Sequence, residues 1–334
     1  MHFSIVVPTF SRPDEVSELL TSLESQENKN FEVVIADGSL DESVQQTVER
    51  FASKLNIKYL YKKGLGISAS RNWGVQQAGG EVVVFFDSDC VIPPQYFKVV
   101  QEFLSIHDLD AYGGPDRAGE DFNSRQKAIS YAMTSFYTTG GIRGRKSHVG
   151  QYQPRTFNMG IKRDVFNMLG GFSTLQVSED IDLSMRLYKS GFTVGLIEEG
   201  FVFHKRRTSF YKFFRQVFSF GSGRVDLQIR HGDALKPVHM LPSLFVLYLL
   251  GGLIAGLFSK GIFLLWMGSV IAYMTAICLD ATRQNRSLII GLMSIYAAFV
   301  MLAGYGLGML KAVLMRMILQ NSNESVKPEI TKEA

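Results

Sequence analysis

Only two cysteines occur in the 334 residues, Cys90 and Cys278, and they lie far apart. That excludes a disulfide framework and the clustered spacing of a zinc site. A reducing compartment is the expected home of the soluble part. A secretory leader is not expected either. The N-terminal apolar run, Phe3 to Val7, ends at Pro8 and is too short for an h-region. The chain lacks a dinucleotide G-x-G-x-x-G fingerprint and a P-loop. It also lacks internal repeats and low-complexity tracts. Net charge is small, at +4.

That small net charge conceals an asymmetry. Between Phe201 and Lys236 stand Lys205, Arg206, Arg207, Lys212, Arg215, Arg224, Arg230 and Lys236, against only Asp226 and Asp233. A basic block of this kind suits nucleic acid or a membrane surface. The last hundred residues favour the membrane and no nucleic-acid partner. Leu241–Phe258, Ile262–Leu279 and Leu288–Leu310 carry no charge, and each is long enough to cross a hydrocarbon core of about 30 Å. Phe210, Tyr211, Phe213 and Phe214 then read as an interfacial anchor rather than as base-stacking groups.

The positive-inside rule puts the basic block and the Arg283/Arg286 loop in the cytoplasm. Three crossings would leave the C-terminal tail outside, yet Lys311 and Arg316 closely follow the third segment. Either Lys311–Leu319 is an interfacial helix, or the third segment is re-entrant. The expected organisation is a cytoplasmic domain over 1–225 and a juxtamembrane connector over 226–240. A membrane region with about three helices occupies 241–319, then a polar tail 320–334. The protein is expected in the cytoplasmic membrane, multi-pass.

The first 200 residues alternate between strand and helix. Phe3–Val7, Phe31–Ala36, Ile57–Tyr61 and Val82–Phe86 read as strands. Asp14–Glu24 and Ile67–Ala78 read as helices, the first with Val16, Leu19, Leu20 and Leu23 on one face. This pattern predicts an α/β class with a doubly wound parallel sheet.

The most informative stretch is Val82-Val83-Val84-Phe85-Phe86-Asp87-Ser88-Asp89. A buried strand runs directly into two carboxylates, and open α/β sheets bind ligands beyond the carboxyl ends of such strands. Hard divalent cations bound to phosphates want one or two such carboxylates. Asp37 closes another strand, as a turn aspartate or as an acceptor for a base or ribose hydroxyl. Gly64-Leu65-Gly66-Ile67-Ser68-Ala69-Ser70-Arg71-Asn72 approaches a helix start that can favour an anion, and Arg71 is either part of that site or a solvated residue. Ser178-Glu179-Asp180-Ile181-Asp182 reads as an N-cap with an acidic first turn, or as the source of a general base. His204 and Arg215 carry matching positive charge.

Taken together, Val6-Val7-Pro8-Thr9-Phe10, Ala36-Asp37-Gly38-Ser39, Ala69-Ser70-Arg71-Asn72 and Phe86-Asp87-Ser88-Asp89 form one ordered set. It continues with Arg155-Thr156-Phe157-Asn158-Met159-Gly160, Gly170-Gly171-Phe172 and Glu179-Asp180-Ile181-Asp182. The set resembles family 2 glycosyltransferases of the GT-A fold, in the membrane-anchored bacterial subgroup, over about residues 3 to 225. The resemblance implies an inverting transfer from a nucleotide-sugar, with a UDP-sugar preferred, helped by Mg2+ or Mn2+. Pro8, Thr9, Asp37, Arg71, Asp87 and Arg215 would bind the nucleotide-sugar. Asp89 would ligate the metal, joined by Asp87 and His204. Asp180 would be the base, supported by Glu179, and Asn158 and Asp182 would meet a lipid-linked or glycan acceptor. The Gln-x-x-Arg-Trp motif of polymerising members is missing: Arg215 has no tryptophan after it. That favours one sugar per encounter. The rival readings are a nucleotidyltransferase and a non-catalytic membrane scaffold.

Overall fold

The computed structural model describes residues 1–117, 122–140, 151–205 and 208–324, with side chains through 316. Arg206, Arg207 and most of the expected polar tail lie outside the described residues. Two compact units form. Of the described residues, 1–117 and 151–205 make one, and 122–140 with 208–324 make the other.

The first unit is built on a seven-stranded sheet. Its strands are β1 (Phe3–Thr9), β2 (Phe31–Asp37), β3 (Ile57–Tyr61), β4 (Val82–Phe85), β6 (Ala111–Gly113), β8 (Met159–Lys162) and β9 (Val194–Leu196), in the order β3-β2-β1-β4-β8-β6-β9. A second sheet joins β5 (Cys90–Val91), β10 (Val202–His204) and β7 (Asp116–Arg117), in the order β5-β10-β7. The helices are α1 (Pro13–Glu24), α2 (Ser43–Glu49), α3 (Ile67–Gln76), α4 (Tyr96–Ile106), α7 (Arg163–Met168) and α8 (Glu179–Lys189).

The expected parallel sheet holds for β3-β2-β1-β4. Beyond β4 the sheet is mixed: β8 runs antiparallel to β4 and to β6. Both faces of β1, β2 and β4 are covered, so Ile5–Val7, Val33–Ala36 and Val82–Phe85 are apolar runs, with Ser4 and Glu32 bonded to each other near the strand starts. On one face Val16, Leu19, Leu20 and Leu23 of α1 and Phe97 of α4 pack on Ile5, Val33 and Val84. On the other, Val75 of α3, Phe166 of α7 and Leu183 and Leu187 of α8 pack on Val6, Val34 and Phe85.

The second unit is helical. It contains α5 (Ser124–Thr134), α6 (Phe136–Thr139), α9 (Phe210–His231), α10 (Pro237–Gly256), α11 (Lys260–Asn285) and α12 (Leu288–Glu324). Three of these helices, α10, α11 and α12 to Arg316, are long and apolar enough to cross a membrane. The stretch around Lys311 and Arg316 is no separate helix: it continues α12 without a break.

Candidate active site

The parallel strands end level with one another. Thr9 pairs with Asp37, and Asp37 with Tyr61. Their carboxyl ends therefore form one edge, where a doubly wound sheet offers its ligand crevice. Pro8 and Thr9 are buried there, and the Thr9 hydroxyl has no hydrogen-bond partner among the described residues. Asp37 is fully buried. One of its oxygens accepts the Ser39 N–H (2.8 Å) and the Ser39 hydroxyl, and the other accepts the Tyr59 hydroxyl at 2.6 Å. Burial, followed by the Asp37 contact, pushes the Tyr59 hydroxyl far above its ordinary pKa, so it stays a donor.

The next chain segment carries Asp87 and Asp89. The Cys90 N–H bonds the Asp87 carbonyl at 3.1 Å, which turns the chain into β5. The two-residue strand β5 pairs antiparallel with β10, setting His204 opposite Cys90. That register brings His204 Nε2 to 3.2 Å from Asp89 Oδ1. The Asp116 carboxylate stands 3.9 Å from Nδ1, and the imidazole stacks on Phe157 at 4.9 Å between centroids. Arg12 reaches Asp89 Oδ2 at 3.3 Å. Burial alone would lower the His204 pKa. The Asp116 and Asp89 carboxylates facing its two ring nitrogens, with the charge of Asp87, outweigh it, raising the pKa to about 9.

Asp89, Cys90 and His204 offer ligand atoms within 4.8 Å of one another. Cys90 is a poor donor. Burial, then Asp87 and Asp89, hold its thiol well above its usual pKa, and its sulfur donates to the Phe157 carbonyl at 3.5 Å. The Asp89 carboxylate and the His204 imidazole remain. Two protein ligands, completed by phosphate oxygens, fit a divalent cation that travels with a diphosphate. His204 and Arg12 both face the Asp89 carboxylate. Asp87 is not in that cluster: it is tied to Arg71.

Arg71 links the two acidic motifs. It is 1% exposed, so the solvated reading falls. One nitrogen donates to Asp87 Oδ1 at 2.8 Å and another to Glu179 Oε1 at 2.7 Å. The guanidinium lies over the Phe172 ring, 5.5 Å from its centroid. Neighbouring Asn72 donates to the Phe172 carbonyl and accepts its N–H, each at 2.8 Å. The Ala69-Ser70-Arg71-Asn72 and Gly170-Gly171-Phe172 motifs are thus two sides of one junction. Burial and the Asp180 charge raise the Glu179 pKa, against the pull of Arg71.

Asp180 lies at the start of α8. Its Oδ1 accepts the Ile181 N–H at 2.8 Å, and its Oδ2 lies 3.3 Å from an Arg155 nitrogen. Ser178 does not cap this helix through its side chain: it sits at φ +67° and makes no capping bond. Left-handed backbone aims its hydroxyl elsewhere, while its carbonyl accepts the Asp182 N–H at 3.0 Å.

Two expected acceptor residues are placed otherwise. Asp182 is fully buried and paired with Arg186 at 2.9 Å, and Arg186 also donates to the Leu169 and Gly171 carbonyls. Lying two residues from Asp180, it points to the opposite side of the helix. Asn158 is fully buried as well, accepting from Tyr96 at 2.6 Å and donating to the Gly200 carbonyl at 2.7 Å. Both brace the walls of the site from behind. Arg215 belongs to α9 of the helical unit.

Sequence reasoning gave no role to Arg12, Asp116 or Arg155, yet each pairs with an expected site residue. Arg155 had a signal, since it opens the Arg155–Gly160 motif. Arg12 comes three residues after the end of β1. Asp116 lies in a two-residue strand that no periodicity marks.

An α/β sheet with Asp87 and Asp89 beyond β4, and a buried arginine joining Asp87 to Glu179, is the arrangement that the resemblance to GT-A sugar transferases implies. Residues 4–169 match the model for glycosyl transferase family 2, so this stretch is a family 2 glycosyltransferase domain. It is 37% identical over 114 residues to the poly(ribitol-phosphate) β-N-acetylglucosaminyltransferase TarS of Staphylococcus aureus. That match covers 33% of this chain and only 20% of the relative. The succinoglycan biosynthesis protein ExoA of Rhizobium meliloti is 24% identical over 75% of this chain and 77% of its own length. Among solved structures, the mannosyltransferase PcManGT of Pyrobaculum calidifontis, in complex with GDP-Man and Mn2+, shares the fold. It does so with a TM-score of 0.67 at 17% identity, over 94% of this chain and 88% of that one.

Proposed function

We propose that the protein transfers one sugar at a time, with inversion at the anomeric carbon, from a nucleotide-sugar to a lipid-linked or glycan acceptor at the cytoplasmic face of a membrane. A UDP-sugar is the preferred donor. The observation that carries this reading is buried Arg71, which pairs with Asp87 and with Glu179 and so ties the Asp87–Asp89 segment to the Glu179–Asp180 start of α8.

In this reading the nucleotide lies over the ends of β1 and β2. The buried Thr9 hydroxyl and the Asp37–Tyr59 pair face its base and ribose. Asp89 and His204 hold Mg2+ or Mn2+, which when bound supplies Lewis-acid neutralisation of the diphosphate. For His204 to act as a ligand it gives up its proton, since a ligating imidazole is neutral. Asp180 takes the proton from the acceptor hydroxyl. The acceptor oxygen forms its bond to the anomeric carbon as the bond to the phosphate oxygen breaks. The nucleoside diphosphate leaves with that electron pair. Arg155 orients Asp180, while Arg71 keeps Glu179 and Asp87 in place on either side.

Asp180→Asn tests the assignment. Transfer should fall by about 10²–10⁴-fold, the usual worth of a general base, while nucleotide-induced thermal stabilisation persists. Near-normal turnover would remove Asp180 from the role.

A further inference from the structure

We propose that only α10 and α11 cross the bilayer. In this arrangement α12, although the longest apolar helix, lies along α9 on the same side as the catalytic unit and immerses its outer face in the adjoining leaflet. This topology rests on the helical unit and the chain's connectivity, and is independent of the transferase reading.

Chain length fixes the side on which α5 and α9 begin. Residues 118–123 separate β7 from α5, and residues 205–209 separate β10 from α9. Six extended residues reach about 20 Å, short of the ~30 Å hydrocarbon core. Both helices therefore start on the catalytic side. Nor can α9 cross afterwards. It carries Lys212, Arg215, Arg224, Asp226 and Arg230 within its 22 residues, and charges at membrane depth are costly.

Helix α12 tracks α9 in register along this same side. Phe210 packs on Tyr296 at 4.8 Å between ring centroids. Further along, Gly304 lies against Phe214 and Val217, and Gly308 against Phe218. Ser222 donates to the Gly308 carbonyl at 3.0 Å, and Asp226 pairs with Arg316 at 2.5 Å. Contact positions thus climb together, from 210 to 226 on α9 and from 296 to 316 on α12. The other catalytic-side helix agrees: Ala128, Ala132 and Met133 of α5 share a cluster with Ala297 of α12.

The α10–α11 hairpin meets this layer near its open end. On α10 the contacts to α12 are Pro242, Ser243, Phe245 and Val246, opposite Phe299 and Gly306. On α11 they are Tyr273, Ile277, Cys278, Ala281 and Thr282. Toward the tip, Gly252 packs on Trp266 and Gly256 on Phe263, within the hairpin itself. Leu253, Ile254, Leu257, Phe258, Leu264 and Leu265 are exposed there. Burial sorts the three helices the same way. In its most apolar stretch α12 has 39% of its residues buried in protein, against 11% for α10 and 6% for α11. Much of α12's apolar character is matched by α5, α9, α10 and α11, whereas that of α10 and α11 is left for lipid.

Charge placement supports the same topology. With two crossings, the basic block, Arg283, Arg286, Lys311 and Arg316 all fall on the catalytic side, as the positive-inside rule requires. Lys260 stands at the hairpin turn on the far side. Leu288, Ile289, Leu292 and Tyr296, with Val313 and Leu314 further on, form the exposed apolar side of α12 that the acyl chains of one leaflet would cover.

The test is accessibility of single cysteines to a membrane-impermeant thiol reagent in cells expressing the full chain, with Cys90 and Cys278 replaced by alanine. Leu257→Cys and Gln320→Cys should fall on opposite sides, the first labelled in intact cells and the second only after permeabilisation. Labelling of both in intact cells would establish a third crossing and overturn the proposal, and so would protection of both. A green fluorescent protein fused to the C-terminus of the natural chain checks the result without substitutions. Fluorescence is expected, and a full-length but dark fusion would contradict it.

Discussion

The two units solve the problem of close packing with opposite chemistry. In the catalytic unit, a fully enclosed arginine is compensated by Asp87 and Glu179, and a fully buried aspartate, Asp182, by Arg186. In the helical unit, backbones approach through glycine. A methyl group at Gly221 would overlap the Tyr305 carbonyl, and one at Gly308 the Phe218 carbonyl. Small residues that let helices touch are the usual means of association where lipid removes the hydrophobic drive. The contrast teaches that charge is kept inside the first unit because the site needs it, while the second unit confines charge to its rim.

Substitutions can break this contrast from either side. The largest effect belongs to Asp180→Asn, with its loss of about 10²–10⁴-fold in transfer and its retained fold. Next comes Arg71→Met, which leaves the buried Glu179 carboxylate and the half-buried Asp87 carboxylate without their cation. Removing one partner of a buried ion pair costs about 3–5 kcal/mol. In a unit of this size that lowers the melting temperature by about 10 °C, and a shift under about 2 °C would show that Arg71 is not a structural bridge. Gly221→Leu should cost about 1–3 kcal/mol through overpacking. Thermal scans with and without nucleotide would show the helical unit weakened and ligand stabilisation unchanged.

The smallest effect concerns pH. His204 binds its proton up to about pH 9 in the metal-free protein, because Asp116 and Asp89 favour the imidazolium over the opposing effect of burial. A metal competes with that proton, so apparent Mn2+ affinity should rise by up to about tenfold per pH unit below pH 9 and level off above it. Titrations at pH 6.5, 7.5 and 8.5 would reveal the slope, and His204→Ala should remove it. A slope that survives the substitution would place the competing proton elsewhere.

The parallel half of the sheet was legible because β1, β2 and β4 carry short apolar runs, Ile5–Val7, Val33–Ala36 and Val82–Phe85, that lead into acids or polar turns. Strands β6, β8 and β9, three or four residues each, are set by pairing partners far away in sequence, which no local period reveals. Asp87, Asp89, Glu179 and Asp180 were found because strand ends and helix starts advertise them. The position of Arg71 between them was not, since burial of an arginine depends on where α8 lands. The bracing positions of Asp182 and Asn158 were hidden for a related reason: side chains in a functional motif also build its walls. In the helical unit, hydropathy marked three segments without distinguishing lipid from protein as the neighbour. Only the contacts of α12 with α9 and α5 make that distinction.

The central claim is that Asp89 and its neighbours form a metal-dependent nucleotide-sugar site, and thermal stabilisation of the detergent-purified protein tests it most directly. UDP and GDP would each be added with and without Mn2+, to the natural chain and to Asp89→Ala. A Mn2+-dependent rise in melting temperature with UDP is expected, and it should disappear in Asp89→Ala. No shift with either nucleotide, in protein shown to be folded, would contradict it.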